Sequence, residues 1–196
     1  MQVISGTLEH LPQDLYAEVA CYRHRVFVEQ LGWALRSQQS MESDQFDRPD
    51  TVYVVAQDDA DQVLGCARLL PTTHPYLLGE VFPQLLNGLP PPCSSEVWEL
   101  SRFAAVDLNS QTPASGQFSS PVAIKLLQEA MVCAAALGAK RLITVSPLGV
   151  ERLLHRVGFH AHRAGPPMII DDHPVFACWI ELDGVCNNKG NADWRQ

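Results

Sequence analysis

The order of hydrophobic patterns along this 196-residue chain predicts a single-domain mixed α/β sandwich. Three observations carry that expectation. Two strand-like runs follow a first helical stripe, and the second half then reads strand, helix, strand, helix, strand, strand. A hydrophobic content of 46% is enough to fill one sizeable core. No internal repeat or low-complexity tract divides the chain.

The elements follow in order. Over residues 12–30, Leu15, Val19, Tyr22 and Val26 recur at helical spacing and form one buried stripe. "TVYVVAQ" (51–57) and "VLGCARLLPT" (63–72) read as two strands joined by the polar turn "DDADQ". The Pro-rich "NGLPPPCSS" precedes a third strand, "EVWELSRFAAV" (96–106). "QTPASGQFSS" is a loop ending in a helix start, with Ser120 as cap, Pro121 at the first position and Gly138 as stop. Between them Val122, Leu126, Leu127, Ala130, Met131 and Ala134 make a wide apolar face. "RLITVS" (141–146) is a continuous apolar run that suits a buried central strand. Ser146 and Pro147 open the next helix, with Val150, Leu153, Leu154 and Val157 on one side and Gly158 at its end. The last strands fall near 160–170 and at "VFACWIEL" (175–182), and the weakly patterned tail, about 186–196, is expected to be mobile. This order resembles the acetyltransferase-like (GNAT-like) fold, a three-layer sandwich whose mixed, splayed central sheet admits an acyl donor. A fold does not by itself fix a function.

A net charge of −8 argues against a nucleic-acid binder or a coat for anionic membranes. The six cysteines show neither C-x-x-C pairs nor zinc-like spacing, and several sit in apolar runs, as free thiols of a reducing cytoplasm do. "MQVISGTLEHLPQDL" lacks the pattern of a secretory signal, and no apolar run reaches the roughly 18–20 residues of a membrane span. A cytoplasmic protein is expected. No His/Cys cluster calls for a metal.

The stretch "ESDQFDRPD" (42–50) crowds Glu42, Asp44, Asp47 and Asp50 ahead of a strand. Such a run is either a solvated loop or a holder of positive charge. Three other stretches offer it company: "RHRVFVEQLGW" with Arg23, Phe27 and Trp33; "GCARLLPTTHPYLLGEVFPQLL" with Arg68 and Phe82; and "VWELSRFA" with Glu99, Ser101, Arg102 and Phe103. Strand alternation puts Glu99, Ser101 and Phe103 on one face. A carboxylate, a hydroxyl and a ring in line are unlike a plain core layer.

Together these residues resemble the N-acyl-homoserine-lactone synthases, the quorum-sensing autoinducer synthases of bacteria. The family pattern Arg-x3-Phe-x5-Trp, Asp-x2-Asp, Arg, Phe, Glu-x2-Arg is met by Arg23, Phe27, Trp33, Asp44, Asp47, Arg68, Phe82, Glu99 and Arg102. "RLLPTT" and "WELSRFA" match it almost letter for letter. The resemblance implies one acyltransferase domain that joins S-adenosylmethionine, a substrate rather than a cofactor, to an acyl group carried by acyl carrier protein. It implies that Arg23, Phe27, Trp33, Asp44, Asp47, Arg68, Arg102 and Phe103 form the S-adenosylmethionine pocket and its charged network. Glu99 would be the base for the amine, directly or through a water that Ser101 helps to hold. Phe82, Leu127, Met131, Thr144 and Ser146 would line the acyl pocket, with the hydroxyls sensing substitution at the acyl C3 and general likeness favouring an unsubstituted octanoyl chain. Carrier protein is acidic, and residues 140–163 set Lys140, Arg141, Arg152, Arg156 and Arg163 against Glu151, a local balance of +4. Arg152 and Arg156 share a helix face and make a docking patch.

Two other readings stay open. An ordinary acetyl-coenzyme A-dependent N-acetyltransferase would carry a Gly-rich pyrophosphate loop, whereas "NSQTPASGQFSSP" contains only Gly116. A non-catalytic S-adenosylmethionine-binding module would bind without turnover.

Overall fold

The computed structural model describes residues 1–108 and 120–183. The expected loop with Gly116, up to residue 119, and the tail from 186 lie outside them. The described elements are β1 (Gln2–Thr7), α1 (Gln13–Arg23), β2 (Ser37–Gln38), β3 (Met41–Glu42), β4 (Val52–Gln57), β5 (Val63–Pro71), α2 (Leu77–Val81), β6 (Val97–Ala104), α3 (Pro121–Ala136), β7 (Arg141–Pro147), α4 (Leu148–Arg156), β8 (Ala161–Arg163), β9 (Met168–Ile170) and β10 (His173–Glu181). A π-helical turn, His24–Gln30, continues α1, and a 3-10 turn, Pro83–Leu86, follows α2.

The main sheet runs β1-β4-β5-β6-β7-β10-β8, with β9 also on β10. Every neighbouring pair is antiparallel except β6 and β7, which run parallel from Val97↔Arg141 to Leu100↔Thr144. Beyond that point β6 continues to Ala104 and β7 to Pro147 without pairing to each other. The sheet is mixed and splayed, as expected of a GNAT-like fold.

Three clusters fill the two faces. On one, α3 buries Ala123, Leu126, Leu127, Ala130, Met131 and Ala134 against Val54, Leu69, Leu100 and Leu142. Each such leucine contributes ~2 kcal/mol by leaving water. On the other, α1 covers Tyr53, Val55 and Cys66, while Leu78, Leu85 and Leu86 cover Leu70, Val97 and Ile143. The local signals for α3 hold: the Ser120 hydroxyl accepts the Ala123 N–H at 3.0 Å, and Gly138 ends the helix at φ 92°.

Several elements differ from expectation. The helix expected over 12–30 stops at Arg23 and widens into the π turn. β1 carries no strong apolar alternation; it exists because β4 offers a free edge, paired from Gln2↔Gln57 to Thr7↔Val52. Ser146 does not cap α4, whose N-cap is Pro147 without a side-chain bond. The five described cysteines are free, with Cys66 and Cys178 buried but Cys93 exposed. Among the described residues no helix is long and apolar enough to cross a membrane.

Candidate active site

Two backbone irregularities aim the functional side chains. The first is the π turn after Arg23, which leaves Arg23 and Phe27 buried together and brings the Trp33 N–H onto the Phe27 carbonyl at 2.9 Å. The Phe27 and Trp33 rings stack at 5.1 Å with 21° between planes. The second is a bulge between β5 and β6. Arg68 pairs with Ser101 and Cys66 with Ala104, so Ala67 faces both Arg102 and Phe103. Arg102 sits at φ 49°. The bulge turns Arg102 out of the α3-facing row to which Trp98 and Leu100 belong. It also reverses the rows beyond it, so Phe103 packs in the α3 core and Ala104 in the α1 core. Phe103 therefore does not share a face with Glu99 and Ser101, because the extra residue breaks the alternation on which that expectation rests.

The acidic stretch is answered by three arginines. Arg23 donates from Nε to Glu42 at 2.5 Å and from both Nη atoms to Asp47 at 2.9 and 3.1 Å. Arg102 donates from Nη2 to Glu42 at 2.9 Å and Asp44 at 2.8 Å. Arg68 donates from Nη1 to Asp44 at 2.6 Å and Asp47 at 2.8 Å. Each acid bridges two arginines and each arginine two acids: a closed ring of six alternating charges, Arg23–Glu42–Arg102–Asp44–Arg68–Asp47. The charges cancel. Tyr53 adds an O–H bond to Asp47 at 2.5 Å, and Asp47 Oδ2 accepts the Asp44 N–H, folding the acidic loop onto the ring. Burial opposes ionisation of Glu42, Asp44 and Asp47, yet hydrogen bonds and attraction from the guanidiniums outweigh it and hold all three below the ordinary carboxylate range. Asp50, more exposed, pairs with Arg48 and His74 instead.

Glu99 lies beside this ring, fully buried. Its oxygens accept the backbone N–H groups of Leu78 at 2.6 Å and Leu77 at 3.1 Å, at the start of α2. Burial pushes its pKa up to about 7, against those amides and the attraction of Arg68. Ser101, two residues on, accepts from Arg68 Nε at 3.0 Å.

The expected acyl-pocket residues divide. Leu127 and Met131 belong to the α3 core with Leu142, and Thr144 and Ser146 share the Leu142 row of β7. The two hydroxyls bond each other at 2.9 Å. Phe82 packs instead with the Leu70–Ile143 cluster on the opposite face, because the segment after α2 crosses that side. On α4, Arg152 and Arg156 are exposed and form no ion pair among the described residues. The other cations of the +4 segment are engaged: Lys140 with Glu96, Arg141 with Glu181 and Arg163 with Glu151.

The sequence matches the autoinducer synthase family over residues 8–189. The chain belongs to this family. The acyl-homoserine-lactone synthase of Acinetobacter nosocomialis is 60% identical over 183 residues, 93% of this chain and 100% of that one. TofI, solved in a ternary complex with an inhibitor and MTA, superposes with a TM-score of 0.81 at 49% identity, covering 93% of this chain and 92% of TofI. The CoA-dependent acyl-homoserine lactone synthase BjaI, solved with SAM and isopentyl-CoA, gives a TM-score of 0.78 at 27% identity, covering 92% and 82%. This chain is an acyl-homoserine-lactone synthase by type.

In this synthase three ring partners escape the motif. Glu42 stands in the quoted acidic run but outside the Asp-x2-Asp spacing, although it joins Arg23 to Arg102. Tyr53 hides in a strand as one more apolar residue, and Phe46 lies under the Arg68 guanidinium at 5.8 Å.

Proposed function

We propose that this synthase joins the α-amine of S-adenosylmethionine to an octanoyl group delivered on acyl carrier protein and releases N-octanoyl-L-homoserine lactone. In the first step the amine nitrogen attacks the thioester carbonyl, the C–S bond breaks, and the carrier leaves as its thiol. Glu99 takes the proton that the amine gives up and returns it to the departing sulfur. In the second step a substrate carboxylate oxygen attacks the γ-carbon, the bond to the sulfonium breaks, and methylthioadenosine leaves as a neutral thioether. No metal or further cofactor takes part.

The observation that carries this reading is a buried carboxylate with a pKa of about 7 beside a neutral charge ring and an aromatic stack. A base poised near the working pH is half ionised there and accepts a proton readily. A sulfonium is drawn to aromatic faces, which Phe27 and Trp33 present. Backbone amides of β6 after Arg102, where the strand has parted from β7, would stabilise the oxyanion of the tetrahedral intermediate. Lactonisation needs mainly a folded substrate, since its nucleophile and leaving group sit in one molecule. The mutual hydrogen bond of Thr144 and Ser146 favours an acyl chain without a C3 oxygen. Arg152 and Arg156, exposed and without an ion pair among the described residues, support docking of an acidic carrier.

The test offers S-adenosylmethionine with octanoyl carrier protein, octanoyl-coenzyme A or acetyl-coenzyme A, and follows lactone and methylthioadenosine by mass spectrometry. Octanoyl carrier protein is the expected donor. Reversing Arg152 and Arg156 to Glu should raise its KM about tenfold and leave octanoyl-coenzyme A unaffected. Higher kcat/KM with coenzyme A would exclude the carrier. Acetyl-coenzyme A consumption without methylthioadenosine would make the chain an ordinary acetyltransferase.

A further inference from the structure

α2 begins without a cap of its own. Tyr76, the residue before it, is extended at φ −141° and ψ 162°, and its side chain makes no capping bond. The Glu99 carboxylate, from β6, stands in for the missing cap and accepts the Leu77 and Leu78 N–H groups. Each side gains: the first amides of the turn are satisfied, and the ionised form of Glu99 receives two donors. Burial is the largest influence on the Glu99 pKa and raises it, and the Leu78 amide is the largest that opposes it.

The Tyr76 side chain anchors that turn. Its ring is buried, and its hydroxyl donates to the Pro92 carbonyl at 2.7 Å. The ring lies against Gly79, where a Cβ would stand 3.0 Å from both Cε1 and Cζ, so a bare glycine is what lets it pack over α2. Pro92 ends a run of three prolines, whose fixed φ makes its carbonyl a stiff anchor. Two residues on, the buried Thr72 hydroxyl accepts the Ser94 N–H at 3.1 Å and donates to the Ser94 and Val97 carbonyls at 3.0 and 2.8 Å. A path therefore leaves the head of β6, passes Thr72, Ser94, Pro92 and Tyr76 to the two amides, and returns to β6 at Glu99. Arg48 donates to the Pro75 carbonyl at 2.6 Å, a second tie on the segment that does not pass through the phenol.

We propose that Tyr76 is a positioning residue: its bond to Pro92 holds the Leu77 and Leu78 amides on Glu99 and so sets the pH range in which that carboxylate is ionised. This rests on the function proposed above, in which Glu99 is the base. The charged groups about Glu99 are Arg68 on β5 and Arg102 on β6, both committed to the acids of the ring, and the Tyr76 phenol, with Glu80 beyond it on α2. β7 sets the uncharged Ile143 opposite it. The amides can thus shift while the ring stays closed. One such amide bond to a carboxylate is worth about one to two pKa units.

The experiment titrates Glu99 directly, by carbon-13 NMR on protein labelled at its glutamate carboxyls, the Glu99 resonance being the one lost in Glu99→Gln. Tyr76→Phe keeps the ring and removes the bond. Its midpoint should rise by about 0.5–1 pH unit, because amides that lie farther off favour the ionised form less. In the lactone assay kcat/KM on the acid side should fall about three- to tenfold, with the alkaline plateau within about twofold of wild type. Gly79→Ala, which presses on the ring, should move the midpoint the same way, and it decides alone if Tyr76→Phe does not fold. Tyr22→Phe is the control for mere loosening. Its hydroxyl is also buried and bonded to the Leu64 and Val106 carbonyls, and its loss should lower Tm and leave the midpoint unmoved. An unmoved midpoint in Tyr76→Phe, or an equal shift in Tyr22→Phe, overturns the inference. A midpoint that moves as expected in an enzyme that forms no lactone upholds the positioning and overturns the function.

Discussion

Glu99→Gln separates the chemistry of a buried carboxylate from its packing. Glu99 is fully buried and its pKa is pushed up to about 7, chiefly by burial, from an ordinary 4.5. A raised carboxylate contributes stability that is fully present below pH 4.5, declines as pH rises, and is gone above about 7. The interval corresponds to ~3 kcal/mol. Glutamine never ionises, so the variant lacks this dependence. It does carry a constant cost, since both Glu99 oxygens accept backbone N–H groups and an amide can match only one. That offset is independent of pH and cancels when the difference between the two proteins is followed across pH. Urea unfolding at intervals from about pH 4.5 to 8 should therefore show wild-type stability falling by ~3 kcal/mol relative to Glu99→Gln. In turnover assays the variant should lose kcat far more than affinity for S-adenosylmethionine. A flat stability difference would mean that Glu99 is not a desolvated carboxylate, and the case for it as base would go with it.

Two further substitutions test the frame. Glu42→Ala opens the charge ring between Arg23 and Arg102 and should cost ~3–5 kcal/mol. Asp50→Ala, removing a partly exposed pair with Arg48, should cost under ~1 kcal/mol, and equal urea midpoints for the two would defeat the ring. Gly65→Ala would set a Cβ 2.8 Å from the Ala104 carbonyl oxygen and 3.0 Å from Leu126 Cδ2. A loss of ~1–3 kcal/mol by calorimetry is expected, and an unchanged Tm would mean that α3 does not sit that close to β5.

What the sequence disclosed follows from how local each signal is. α3 was readable in full, since its cap, its first-position proline, its stop and its apolar stripe all lie within the element. β4, β5 and β7 declared themselves as apolar runs. The arginines and aspartates of the ring were found by spacing, but their arrangement was not: no local rule says that Glu42 is shared by Arg23 and Arg102, sixty residues from the latter. Alternation assigned Glu99 and Ser101 to one face correctly and then failed at Phe103. A non-glycine residue at positive φ in mid-strand leaves no mark in its neighbours' identities, so the bulge at Arg102 was invisible. Phe82 failed for a related reason, because the face covered by a connecting segment depends on where the chain crosses the sheet.

The bulge is also what allows one strand to serve two environments. Without it Arg102 would continue the row of Trp98 and Leu100 into the α3 core, a cation among Leu126, Leu127 and Met131 with no acid near. With it, Arg102 reaches Glu42 and Asp44 and closes the ring, while Phe103 takes the place in the core that the cation vacates. The ring in turn explains why three arginines and three acids tolerate burial. Each charge has two opposite neighbours, so removing any one leaves both of them with a single partner, and the arrangement resists local rearrangement. A closed neutral ring has no surplus negative charge to offer a cationic substrate. In the proposed function, attraction for the sulfonium and ammonium groups then comes from outside it, from the Phe27–Trp33 faces and from the ionised form of Glu99. The acidic stretch thus acts through the arginines it positions. In the proposed function it is the wall of the site, with the Glu99 carboxylate set beside it.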